Sequence, residues 1–130
     1  MIITLCGSAR FEDEFIKMNK RLSLLGHCVF SLAVFPSTEQ AGKNWYTDDE
    51  KYILDAVHKA KILTSDAIVI LNKYAYVGES TLKEIEFAKR HNKKCYVLES
   101  WGKGIEGFGS PIDTTTNNGF EVYWNIREVI

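Results

Sequence analysis

Neither sign of charge dominates this chain: 16 Lys and Arg stand against 17 Asp and Glu, a formal net charge of -1. That balance provides no electrostatic basis for binding nucleic acid or an anionic membrane. No apolar run is long enough to cross a bilayer. Met1 leads straight into I-I-T-L-C-G, with neither a basic n-region nor a small-residue cleavage site, so no signal peptide is expected. Cysteines are few. Cys6, Cys28 and Cys95 are an odd set without C-x-x-C spacing, each inside or beside an expected strand. Buried free thiols in a cytoplasmic protein are the expectation. His27, His58 and His91 are dispersed, and no His/Asp/Glu cluster has ligand spacing, so the sequence predicts no metal site and no cofactor. The G-x-G-x-x-G dinucleotide fingerprint is absent as well.

What remains is ordinary for a globular domain. The chain has 130 residues, 45% of them hydrophobic and 25% charged, enough for one compact core. Ile2 to Cys6 reads as a buried strand ending at Gly7. Phe11, Phe15, Met18, Leu22 and Leu25 recur at helical spacing, which predicts a helix from about Arg10 to Leu25, stopped by Gly26. His27 to Leu32 reads as a second strand. Thr47 and Glu50 form a capping box for a second helix, with Ile53, Ala56, Val57, Ala60 and Leu63 as its apolar stripe. Ala67 to Leu71 is a third strand, Thr81 to about Arg90 a third helix, and Lys94 to Leu98 a fourth strand. Gly102, Gly104, Gly107, Gly109 and Pro111 mark a loop, Thr114 to Asn118 is polar, and Phe120 to Ile130 reads as a strand or a short helix. There are no repeats and no linker. The expected fold is a single α/β domain over residues 1–130, doubly wound (Rossmann- or flavodoxin-like). Its sheet is mainly parallel, of four to five strands, with helices on both faces.

In such a sheet the ends of the first three strands share one edge, where open parallel sheets bind small molecules. That edge would collect Gly7, Ser8 and Arg10, then Trp45 and Tyr46, then the loop up to Gly78, Ser80 and Thr81 with Glu84 beyond. Each has two readings. Glu84 stands three residues after Thr81, so it either closes a capping box in the first turn or faces a ligand. Gly78 before the helix start permits close approach by a ligand, and Ser80 and Thr81 either cap the helix or bind an anion with its free N–H groups. Arg10 is a solvated first-turn charge or a phosphate contact. Trp45 and Tyr46 either stack on a base or staple the second helix. A lone helical histidine such as His58 is usually a partly exposed packing residue, and reaching the cleft would require a place near the N-terminal half of its helix. Asp66, opening a strand, reads as structural.

The run H-K-A-K-I-L-T-S-D-A-I-V-I-L-N-K-Y-A-Y-V-G-E-S-T-L-K-E-I-E-F-A-K resembles the nucleoside 2-deoxyribosyltransferase-like superfamily, which includes deoxyribonucleoside 5′-monophosphate N-glycosidases. L-C-G-S-A-R near the N-terminus fits the same pattern. S-T-x-x-E-I-x-x-A is the specific part, and the match runs from residue 1 to about residue 99. The resemblance implies that Glu84 attacks C1′ of the sugar and displaces the base, forming a glycosyl ester that water or a second base resolves. It implies that Gly78, Ser80 and Thr81 hold the sugar 5′ end, with Gly7, Ser8 and Arg10 on the opposite wall. Three positions depart from the pattern. Gly78 stands where transferases carry an aspartate six residues before the nucleophile. His58, with Asp55 one turn earlier, is nearest to the aspartate that other members carry before the third strand. The tyrosine that many members carry near the N-terminus is missing, with Cys6 or Ser8 nearby. A small, hydroxyl-rich loop looks more like the monophosphate hydrolases. The G-E-S-T-L-K-E segment is also a partial echo of G-G-x-G-T-x-x-E in cytokinin-activating phosphoribohydrolases.

The expected function is therefore hydrolysis, or transfer, of the N-glycosidic bond of a nucleoside or nucleoside 5′-monophosphate. Glu84 is the expected nucleophile and His58 the expected acid–base or sugar-orienting group. The alternatives are a non-catalytic nucleotide-binding protein using the same cleft and an interaction domain with an incidental cleft. The expected partners are a small nucleoside or nucleotide and further copies of the chain. A homodimer or higher oligomer is expected, with Phe120, Tyr123 and Trp124 either completing a neighbour's site or covering the sheet edge.

Overall fold

A computed structural model describes residues 1–37, 45–98 and 121–122. The apolar runs become strands: β1 (Ile2–Cys6), β2 (Cys28–Phe30), β3 (Ala67–Ile70), β4 (Lys94–Val97) and the short β5 (Glu121–Val122). They form one sheet in the order β2-β1-β3-β4-β5, parallel at every pairing. That is the flavodoxin-like order among doubly wound folds, in which ligands bind where the winding reverses, between β1 and β3. Among the described residues three helices connect the strands: α1 (Glu12–Leu24), α2 (Asp48–Thr64) and α3 (Glu79–Arg90).

Strand alternation divides the core into two layers. Ile3 and Leu5 of β1 turn toward α1 and pack with Phe11, Phe15, Met18 and Leu22. Ile68 and Ile70 of β3 turn the other way and pack with Ile62 of α2 and with Ile85 and Ala88 of α3. Cys6 shares the side of α2 and α3, because it is one residue out of phase with Leu5. Helices thus cover both faces, as the β-branched runs require.

Several boundaries differ from the sequence expectation. The helix expected from Arg10 starts at Glu12, because Ala9–Phe11 form a 3-10 turn capped by the Ser8 side chain. Gly26, at φ +92°, ends the chain's first helical segment in the left-handed region, as its position predicts. The second strand is shorter than expected. The capping box at Thr47 forms, with Thr47 Oγ1 accepting from Glu50 N at 3.1 Å and Glu50 Oε1 accepting from Thr47 N at 2.9 Å.

Two corrections are larger. First, the stripe predicted to be the buried face of α2 faces outward: Ile53 is 59% exposed, Val57 41% and Leu63 47%. The covered side carries Leu54, Asp55, His58, Lys61 and Ile62 instead. Second, Cys28 is exposed, whereas Cys6 and Cys95 are buried as expected. The loop at 102–111, the polar stretch at 114–118 and the aromatic residues Phe120, Tyr123 and Trp124 lie outside the described residues.

Candidate active site

A cleft of about 320 Å³ opens at the carboxyl ends of the strands and collects residues from all three predicted strand ends. Its volume is that of a small-molecule site, typically about 300–1,000 Å³. The β1 end contributes Gly7 and Ser8. The chain beyond β2 contributes Leu32, Ala33 and Val34. The loop after β3 contributes Tyr76 and Gly78. Gly7 allows close packing here: a Cβ would stand 3.0 Å from the Leu71 carbonyl oxygen and 3.3 Å from its Cβ.

The α3 start answers the question posed by Thr81 and Glu84. The helix begins two residues earlier than expected, at Glu79, with Gly78 at the N-cap and no side-chain cap bond. Thr81 is therefore the third helical residue, 3% exposed. Glu84 lies beyond the first turn and closes no capping box. It lines the cleft, its side chain 14% exposed, and its Oε2 is buried without a hydrogen-bond partner. Ser80 lines the same wall, and its Oγ accepts from Lys51 Nζ at 3.4 Å.

His58 corrects its expectation twice. It is 5% exposed rather than partly exposed, and it reaches the cleft from beyond the middle of α2. Helix α2 packs against both β1 and α3, which makes this possible. His58 Nε2 lies 3.5 Å from Cys6 Sγ and 3.7 Å from Glu84 Oε2. The Glu84 carboxyl lies within 4.8 Å of the Cys6 thiol as well. Strand β1 and helices α2 and α3 thus bring a thiol, an imidazole and a carboxyl together at the cleft floor. Sequence spacing concealed this cluster, because its members are dozens of residues apart.

Burial decides the charge states. It pushes the Glu84 carboxyl up to about 8, with the Asp55 charge adding to the rise, while Cys6, Lys51 and Lys59 oppose it. Burial, aided by Lys61, takes His58 down to about 4. The Cys6 thiol is held well above its ordinary value by burial and then by Glu84. At neutral pH the His58–Glu84 contact is therefore mainly an acid beside a neutral imidazole, although its distance would admit an ion pair.

Other expected residues fall around this floor. Trp45 and Tyr46 line the cleft with rings edge to face, centroids 4.7 Å apart. A staple would pair Tyr46 with the fourth helical residue, which is Lys51, so that reading lacks an apolar partner. Arg10 does not line the cleft. Its Nε donates to Ser8 Oγ at 3.2 Å, its Nη2 donates to the Tyr76 hydroxyl at 3.2 Å, and its guanidinium lies 4.2 Å from the Tyr76 ring centre. Arg10 braces Tyr76 at the rim. Asp66 is structural: its Oδ2 accepts from Ile2 N at 2.7 Å.

Sequence reasoning passed over Lys51, Lys61 and Tyr76. Lys51 Nζ meets Asp55 at 3.0 Å, and Asp55 also lines the cleft. Lys61 Nζ donates to the Ser31 carbonyl at 2.8 Å, tying α2 to the chain beyond β2. The i,i+4 spacing of Lys51 and Asp55 was a usable signal for the first pair.

Fold and site define a doubly wound α/β domain with an acid-bearing small-molecule cleft at its winding reversal. The chain shares this fold with solved deoxyribosyltransferase and N-glycosidase structures. It superimposes on a 2-deoxyribosyltransferase from Bacillus psychrosaccharolyticus with a TM-score of 0.68 at 15% identity, covering 99% of this chain and 90% of that one. A CMP N-glycosidase from Clostridium botulinum matches with a TM-score of 0.54 at 19% identity, covering 99% and 94%. A 2-deoxyribosyltransferase from Leishmania mexicana matches at 0.56 and 18% identity, covering 98% and 92%. No protein-family model and no curated protein matches the sequence.

Proposed function

We propose that this chain is an enzyme of a single domain that cleaves, or transfers, the N-glycosidic bond of a nucleoside or nucleoside 5′-monophosphate. Glu84 is the nucleophile. One observation carries the reading: Glu84 closes no capping box, and it presents a buried oxygen without a hydrogen-bond partner beside the cleft. The fold supports it, since the neighbours above are a deoxyribosyltransferase and an N-glycosidase.

In the proposed reaction the ionised Glu84 carboxylate attacks C1′. The C1′–N bond breaks, its electron pair leaves with the base, and the base takes up a proton from solvent. Water or a second base then displaces Glu84 from the glycosyl ester, as in a retaining glycosidase. His58 serves as a positioning group. With a value near 4 it is almost wholly uncharged at pH 7, so it aligns Glu84 instead of supplying protons. Ser8 and Gly7 form one wall. Gly78, Ser80 and Thr81, at the N-terminus of α3, hold the sugar 5′ end, with Lys51 close to Ser80. Trp45 and Tyr46 offer apolar faces to the base.

The test is incubation with a panel of nucleosides and nucleoside 5′-monophosphates, with release of free base as the readout. Release by wild type and its loss in Glu84→Ala support the reading. Absence of release from every substrate, with Glu84→Ala binding nucleotides as tightly as wild type, overturns it.

A second reading has its own observation. A carboxyl near 8 is mostly protonated at pH 7, which suits a nucleotide-binding protein that leaves its ligand intact. Mass spectrometry of the ligand after prolonged incubation separates the two: intact nucleotide marks the binder, base and sugar phosphate the enzyme.

The outward apolar residues of α2 support self-association. Tyr52, Ile53, Val57 and Leu63 share that exposed side, and Val57 also lines the cleft. A second copy seated there would border the site.

A further inference from the structure

The donor atoms on the cleft floor are a sulfur, an imidazole nitrogen and a carboxyl oxygen: Cys6 Sγ, His58 Nε2 and Glu84 Oε2. One ligand atom of each residue lies within 4.8 Å of those of the other two. They come from β1, α2 and α3, so the framework of the fold holds their spacing. Around a tetrahedral zinc, with bonds of about 2.0–2.3 Å, such donors stand roughly 3.4–3.6 Å apart. The sulfur–nitrogen separation is 3.5 Å and the nitrogen–oxygen separation 3.7 Å. An independent observation marks the same place: Glu84 Oε2 is buried without a hydrogen-bond partner, directed at His58. A buried acceptor in that condition is costly, and a cation between the three donors would satisfy it.

We propose that Cys6, His58 and Glu84 form a binding site for a zinc-like divalent cation, with its fourth position open to the cleft. Mixed sulfur, nitrogen and oxygen donors select a borderline-soft ion, not magnesium or calcium. Three protein ligands with one open position is the arrangement of an accessible zinc centre. On binding, the Cys6 thiol and the Glu84 carboxyl each release a proton to solvent, and Sγ and a carboxylate oxygen donate the freed pairs to the ion. His58 Nε2 binds as neutral imidazole. Cys6 lies beneath the other two at 0% exposure, while His58 and Glu84 line the cleft by which the ion enters. The site rests on this geometry and is independent of the reaction proposed above. Where that reaction occurs, the ion withdraws the Glu84 oxygen from C1′ and inhibits it.

Cobalt(II) is the probe, because a cobalt–thiolate bond absorbs in the near ultraviolet. Titration of the full chain should develop this charge-transfer band to one equivalent, and zinc should bleach it by displacement. Cys6→Ser should abolish the band, Glu84→Gln should weaken cobalt binding at least about tenfold, and Cys28→Ser should change neither. A wild-type protein without the band, a band that survives Cys6→Ser, or one lost in Cys28→Ser overturns the site. Thermal unfolding provides a readout that does not need the cysteine variant. Zinc should raise the midpoint of wild type by more than that of Glu84→Gln at the same concentration. An equal rise in both overturns the proposal.

Discussion

A carboxyl shut away from water keeps its proton, and for Glu84 this has consequences for rate and for stability. If the ionised form is the nucleophile, turnover should climb as pH rises through about 8 and level off beyond it. An initial-rate profile checks this, and a flat profile from acid to alkaline pH removes the ionised carboxylate from the mechanism. Glu84→Gln should lose turnover on the order of 10⁴-fold, as expected when a covalent nucleophile is removed. For stability the sign follows from linkage. Glu84 has a folded value of about 8, above its ordinary 4.5, so the native state holds a proton that the unfolded chain has lost. Its contribution is complete below about 4.5 and disappears as pH rises to about 8. His58 runs the other way: its contribution is present above 6.5 and lost as pH falls toward 4. Between about pH 4.5 and 6.5 the two oppose each other, and above 6.5 Glu84 alone acts. Denaturant unfolding should therefore show Glu84→Gln gaining on wild type as pH rises, by at most roughly 5 kcal/mol over the full range. A difference independent of pH would refute the buried acid. At this scale Glu84, Gly78 and Ser80 were legible, because a strand, a loop and a helix start lie together in sequence. The Cys6–His58–Glu84 contact was not, because only tertiary packing joins residues so far apart.

Helix α2 shows how a correct period can be assigned to the wrong face. Ile53, Ala56, Val57, Ala60 and Leu63 do repeat at helical spacing, yet they face away from the sheet. The opposite side carries Lys51, Asp55, His58 and Lys61 because it forms a wall of the cleft, where polar groups are needed inside. Periodicity identifies a face and leaves open which neighbour covers it. The strands were easier to read: buried parallel strands are short continuous apolar runs, and β1 has its expected bounds. The start of α2 was equally plain, since its capping box uses only local bonds. Thr47→Ala removes the acceptor for Glu50 N and should lower stability by about 1 kcal/mol, measured by denaturant unfolding. Because Trp45 and Tyr46 adjoin this cap, the same substitution should also weaken nucleotide binding if those rings contact the base.

As a whole the molecule leaves one apolar helix side without a partner among the described residues. Ile53→Lys with Val57→Lys should leave the chain folded and shift it toward monomer, which sedimentation or light scattering will read. An unchanged mass would place any self-contact elsewhere. Among the described residues no helix is long and apolar enough to cross a membrane. The cleft floor draws one group from each of β1, α2 and α3, and so from positions 6, 58 and 84 of the chain. Closing loops of that length costs entropy that only the finished sheet returns, so the floor is among the last features to assemble. A chain with α2 or α3 undocked from β1 lacks this cluster. A signal from the Cys6–His58–Glu84 cluster, whether from a bound probe or from turnover, therefore counts completed molecules in a refolding mixture.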